Sequence, residues 1–313
     1  MIPILFGLVT AALWASTLLG SSRSARLIGS WSTLGWVMLI GLTISIPVTL
    51  LTSPAIAFSD SELFHLIVAG IANSAGLLFV YTALQRGKVA VVGPIVSTEG
   101  AIGATLAILN GDPVTAVGMV VLALIVVGVV LAAIERQVPV APAPDVASNA
   151  VAYGDGIVLA RERPATADFG RPTPVSAPLT AAIALGGAIL FGINLYATSR
   201  IATELPIAWA ILPARVAGVI GVTIPLIAMR RIRLTRPAVP FLLLVGTAEV
   251  VGTATFAIGA RESAAVTSVI ASQFAAIAAI FAFLVFGERL TKLQTAGVIT
   301  IAIGVAALSI VQS

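Results

Sequence analysis

Cysteine is absent from the 313-residue chain, and histidine occurs once, as His65. Without thiols there is neither a disulfide framework nor a thiolate metal site. A lone histidine at a helix edge makes no histidine-based metal centre, and no metal or other cofactor is expected. Charge is scarce too: Asp, Glu, Lys and Arg supply 10 % of residues, against 59 % hydrophobic ones and a mean hydropathy of +1.11. A soluble domain of that composition has too few polar groups to cover its surface. The phosphate loop G-x-x-x-x-G-K-[ST] is missing, as is any large polar domain able to hydrolyse a nucleotide. The net charge of +4 does not point to nucleic acid, because most basic residues fall in short turns between apolar runs.

What the chain does have is long apolar runs. Bilayer hydrocarbon is about 30 Å thick and needs roughly 20 apolar residues per helical crossing. Ten segments qualify: 2–20, 33–52, 64–84, 89–109, 113–134, 178–199, 206–229, 238–260, 263–286 and 292–311. None shows the alternating polarity of a membrane-barrel strand. The expectation is an all-α, multi-pass protein of a cell membrane (inner or plasma) with ten transmembrane helices. The opening MIPILFGLVTAALWAS has no basic residue before its apolar run, so it reads as a first membrane helix and not as a cleaved signal.

A Pro- and Ala-rich polar linker, 135–177, separates five segments from five, which defines units 1–134 and 178–313. Residues 70–134 slide onto 246–310 without a gap, pairing Gly70 with Gly246, Gly76 with Gly252, Gly111 with Gly287 and Gly128 with Gly304. An odd number of helices per repeat forces the copies to insert in opposite orientations, as in many secondary transporters. Charge tests this independently. One side holds Arg23, Arg26, Arg86, Lys88, Arg136, Arg161, Arg163, Arg171, Arg230, Arg231, Arg233, Arg236, Arg289 and Lys292, and the other only Arg200 and Arg261. Positive-inside counting puts the first set in the cytoplasm, the linker with it, and both termini outside.

Three charged residues lie well inside the spans: Glu99, Arg215 and Glu249. Each costs about 2.5–3.5 kcal/mol at a helix centre, so they face protein or water and not lipid. Gly246, Glu249 and Gly252 share a helix face with Thr253 beside them, and their repeat partners are Gly70, Asn73 and Gly76. The small residues serve close helix approach or an open cavity wall. Glu99 follows Ser97 and Thr98; its repeat partner is Ala275, and Ser97 pairs with Gln273. Three readings of the acids stay open: an ion pair with Arg215 or hydrogen bonds between helices, a site for a positively charged group, and proton coupling. Arg215 is a candidate for one acid, or for a substrate carboxylate or phosphate. Asn73, Asn194, Gln273, Tyr81 and Tyr196 are the other polar residues inside spans, and Trp14 sits at mid-span, as a cavity wall would. Gly93-Pro94 and Pro213 favour kinks.

The run GERLTKLQTAGVITIAIGVAAL, 287–308, reads G-E-x-L-x-x-x-Q-x-x-G before an apolar stretch. It resembles the closing signature of EamA-type transporters of the drug/metabolite transporter superfamily. GDPVTAVGMVVLALIVVGVVL, ALWAS and ILPARVAG resemble further parts of that pattern. The resemblance implies two inverted five-helix repeats, a cavity lined largely by helices 1, 3, 4, 6, 8 and 9, alternating access, and export or exchange of small metabolites. Asp112-Pro113 and the long linker depart from the pattern, and the two acids suggest a particular substrate and not the family at large. The expected protein is no enzyme but a secondary transporter of a small polar metabolite, amino acid or cationic compound. The expected site residues are Glu99, Glu249, Arg215, Asn73, Trp14, Asn194, Gln273 and Ser97. An intramembrane lipid-modifying enzyme using the two acids and a receptor or scaffold are the alternatives. A homodimer through the Ala214/Gly218 spacing is compatible with the sequence, as is the use of that spacing inside the bundle.

Overall fold

The computed structural model describes residues 1–53, 57–87, 89–133 and 177–278, with a few helical positions between 296 and 307. The expected linker (but for its last residue), most of the helix expected at 292–311, and most of the 287–308 signature lie outside the described residues. The regular structure of the described part is helical throughout, and seven of its helical segments are long and apolar enough to cross a membrane.

Helix α1 (Ile2–Ile28) passes into α2 (Ser30–Thr52) through Gly29 alone, at φ 87°, a backbone conformation only glycine adopts without strain. Helix α3 (Asp60–Arg86) starts on a capping box: Glu62 N–H donates to Ser59 Oγ at 3.3 Å, while Ser59 N–H donates to Glu62 Oε2 at 2.6 Å. The run expected to be one helix over 89–109 is two, α4 (Val89–Val96) and α5 (Glu99–Leu109), separated at Ser97-Thr98. Helix α6 (Ala116–Ala133) follows, then α7 (Ala177–Glu204) and α8 (Ile207–Gly218). A π-helical turn, Val219–Thr223, joins α8 to the short α9 (Ile224–Ala228). Helix α10 (Val239–Ala260) follows a 3₁₀ turn at Arg236–Ala238, and α11 (Ala264–Ala271) breaks at Ser272-Gln273 before helix resumes at 274–278.

The strongest pairings cross between the halves: α3 along α7 and α1 along α10. Exchange α1 with α7, α2 with α8, α3 with α10 and α5 with α11, and these pairings map onto each other. So do α5·α7 with α1·α11 and α3·α8 with α2·α10, whereas α2·α8 and α5·α11 map onto themselves. Leu50, Leu51, Leu109 and Val120 are all at least 70 % exposed, an apolar exterior whose natural solvent is hydrocarbon.

Glycine stripes permit close approach and do not form open walls. A Cβ on Gly70 would come within 2.9 Å of the Pro213 carbonyl oxygen, on Gly76 within 2.9 Å of the Phe191 ring, and on Gly246 within 2.7 Å of Ile40. The Ala214/Gly218 face is likewise spent inside the bundle: Ala214 is buried, and a Cβ on Gly218 would strike Met38 of α2. That spacing is therefore no dimer face.

Candidate functional site

Glu99 owes its position to a local failure of the helix. Pro94 has no N–H to donate, and Ser97 and Thr98 turn their hydroxyls back onto the carbonyls of Gly93 (3.0 Å) and Ile95 (2.7 Å). The chain turns there and restarts with Glu99 as the first residue of α5, so the carboxylate stands at the positive end of a helix dipole. The second half repeats the device. The break at Ser272-Gln273 lies within one residue of the position matching Ser97-Thr98, although no proline is present. The two breaks touch: a Cβ on Gly100 would lie 2.5 Å from Ser272 Cβ and 2.6 Å from the Ser268 carbonyl oxygen.

Beside the breaks is a cavity of about 50 Å³, walled by α1, α3, α4, α5, α7, α10 and Phe274. Those elements are the expected helices 1, 3, 4, 6, 8 and 9. Among its lining residues are Trp14, Asn73, Glu99, Asn194 and Glu249, five of the eight residues expected at the site. Apolar clusters bracket it, one containing Ile4, Ala104, Ala107, Phe256 and Ile270, the other Ala25, Ile28, Leu84, Val92 and Phe274. A space this size takes a few waters, whereas pockets for small organic ligands run to roughly 300–1,000 Å³.

The two acids differ in what compensates them. The guanidinium of Arg215, wholly buried, lies 3.6 Å from Glu249 Oε2. It also reaches Thr253 Oγ1 at 3.5 Å and Met38 Sδ at 3.8 Å, passing beside Gly41, where a Cβ would sit 2.7 Å from its Cδ. Arg215 does not line the cavity; it stands behind Glu249. Glu99, 3 % exposed, has neither an ion-pair nor a hydrogen-bond partner for its carboxylate among the described residues. One expected alternative thus falls to one acid and not to the other.

The remaining expected residues are placed differently. Ser97 spends its hydroxyl on the break, and Gln273 donates Nε2–H to the Val269 carbonyl at 2.7 Å, so both shape the broken helices and neither lines the cavity. Asn194 Oδ1 accepts from Thr198 Oγ1 at 3.3 Å. Trp14 stacks on Phe256 with ring centroids 6.0 Å apart and lies against Gly252, whose lack of a side chain makes room for it. Trp14 Nε1, Asn73 Oδ1 and Tyr81 Oη, all at the cavity wall, have no hydrogen-bond partner among the described residues. Tyr81, Thr17, Phe191 and Phe274 also line the cavity and were not among the expected site residues. Only Tyr81 carried a signal, as a hydroxyl inside an apolar span. No group of three or more His, Asp or Glu among the described residues is spaced to hold a metal ion.

The chain as a whole matches solved structures in fold. One, described only as the crystal structure of a protein, superposes with a TM-score of 0.70 at 14 % identity, covering 99 % of this chain and 96 % of the other. Among curated proteins no match was found. The protein is a multi-pass, all-helical membrane protein. Its first 134 residues match the EamA-like transporter family, the family its sequence motifs resemble.

Proposed function

We propose that the protein is a secondary transporter for small organic cations, working by alternating access of two inverted five-helix repeats, 1–134 and 178–313, joined by the linker 135–177. One observation carries the reading: a small mid-bundle cavity holds two carboxylates, only one of which has a cation beside it among the described residues. With both acids ionised the site keeps a net negative charge, and a ligand cation is what balances it. Trp14, Tyr81, Phe191 and Phe274 add ring faces, which attract cations through their quadrupoles. The exchange of helix pairings between halves and the matched breaks support the repeat. Apolar clusters on both sides of the acids are the two seals that alternating access opens in turn.

Glu99 is the residue we assign to coupling, since a proton and a substrate cation compete for a carboxylate with no partner among the described residues. The direction we assign is export against an inward proton gradient, as the resemblance to EamA-type transporters implies, with both termini outside by positive-inside counting. The test is a thermal-shift screen of detergent-purified protein against organic cations and zwitterionic amino acids, with Glu99→Gln in parallel. A ligand at 100 times its Kd adds roughly 2.7 kcal/mol to the native state. Stabilisation by cations that disappears in Glu99→Gln supports the assignment; cations that stabilise both proteins equally overturn it. No response to any cation moves the balance to a scaffold or a lipid-modifying site.

A further inference from the structure

A cleft larger than the central cavity lies away from the acids, among the Arg-rich turns. It measures about 780 Å³ and is enclosed by the start of α2 (Ser30, Trp31, Ser32), Gln85 at the end of α3, and the run Gly221–Arg233. Its floor is apolar, Val222, Pro225 and Leu226, and its exposed rim carries Met229, Arg230, Arg231 and Arg233. Among the described residues no acidic side chain lines it, and none of the three arginines has an ion-pair partner.

Positive-inside topology alone asks only for basic residues on one side, in any arrangement. Here they sit on a turn fixed from several directions. Arg230 N–H donates to the Ile227 carbonyl at 2.9 Å and Arg231 N–H to the Leu226 carbonyl at 2.8 Å, closing α9. Arg233 N–H donates to Ser32 Oγ at 3.1 Å, and Trp36 Nε1 donates to the Arg233 carbonyl at 2.9 Å, tying the turn to α2. Arg230 holds φ 54°, among the described residues the only non-glycine at positive φ. Glycine takes that helix-ending position without cost; strained backbone that persists marks a place where the side chain is needed.

The surroundings indicate what binds. Trp31 is 52 % exposed, as an interfacial tryptophan is, and Ile220, Ile224 and Ile227, each more than half exposed, form an apolar band on the same helical run. A basic rim, an apolar floor and an adjoining apolar helix face fit one ligand that is anionic at one end and hydrocarbon at the other. We propose that this cleft binds an anionic phospholipid, its phosphate held by the guanidinium groups of Arg230, Arg231 and Arg233.

The full chain is purified in detergent, and retention of phosphatidylglycerol is compared with that of phosphatidylcholine by native mass spectrometry. Each arginine near an anionic headgroup is worth about fivefold, so three give roughly a hundredfold preference. Two variants remove it by different routes: Arg230→Gln/Arg231→Gln/Arg233→Gln deletes the charge, and Gly221→Phe fills the cleft from a position where a Cβ meets nothing within 4 Å. Loss of the preference in both, with millimolar inorganic phosphate failing to displace the lipid, is the expected result. Equal retention of the two lipids overturns the proposal, as does wild-type preference in either folded variant. Complete displacement by inorganic phosphate reassigns the cleft to a soluble phosphate. None of these outcomes depends on the acids of the central cavity.

Discussion

Glu249→Gln turns the central ion pair into a measurable quantity. Arg215 has no exposure to solvent, and the one carboxylate beside it among the described residues is Glu249 Oε2, 3.6 Å away; its other polar neighbours there are a hydroxyl and a thioether. Removing the negative charge while keeping the side chain's size leaves a buried guanidinium uncompensated. Breaking such a pair from one side costs about 3–5 kcal/mol. At roughly 2–4 °C per kcal/mol, unfolding should move down by about 6–20 °C in a tryptophan-fluorescence melt of detergent-purified protein. Arg215→Met should lose a similar amount, by orphaning the acid. Because the charged partners are then both gone, the double variant should recover most of the loss, to within about 1 kcal/mol of wild type or better. Glu99→Gln is the internal control. Glu99 neutralises no cation among the described residues, so its loss should shift the melt by less than about 1 kcal/mol in either direction. A Glu249→Gln protein as stable as wild type, or single losses that simply add in the double variant, would refute the pairing.

Two smaller perturbations probe the broken helices. Gly100→Ala places a methyl 2.5–2.6 Å from Ser272 Cβ and the Ser268 carbonyl, atoms of a helix that cannot swing aside, so it should cost about 1–3 kcal/mol in the same melt. Asp112 caps α11, accepting the Ala265 N–H at 2.7 Å and the Ser263 hydroxyl at 3.2 Å. Asp112→Ala should lose about 1 kcal/mol in thermal melts, and Asp112→Asn, which retains an accepting oxygen, should lose less.

The same cap explains a departure from the family pattern. Asp112-Pro113 stands where the second repeat has Glu288-Arg289, and instead of serving its own helix its carboxylate reaches across to the start of α11. Arg261 acts similarly, donating to the carbonyls of Ala202 (2.6 Å) and Leu205 (2.9 Å) at the end of α7. On the side poor in basic residues, Asp112 thus joins the first half to the second, and Arg261 ties two helix ends within the second half.

The bilayer made much of this protein legible in its sequence. Long apolar runs have one stable form in hydrocarbon, the helix, and a charge within such a run must find protein or water. Those two facts located the seven spans found among the described residues and singled out Glu99, Arg215 and Glu249 without any knowledge of packing. What they left undecided depends on distances across the bundle. Pro94 announced a weak point, but nothing local announced the matching break at Ser272-Gln273, which lies where α11 meets Gly100. Composition could not say which acid Arg215 serves, because the choice rests on Gly41 leaving room for the side chain to reach α10. Nor could it separate Asn194, on the cavity wall, from Gln273, turned into its own helix: both are amides in apolar spans, and rotation about a helix axis is fixed only by neighbours. The sequence determined which groups had to be sheltered from lipid, since transfer energy belongs to each residue; the tertiary structure decided which were compensated, since an ion pair belongs to two.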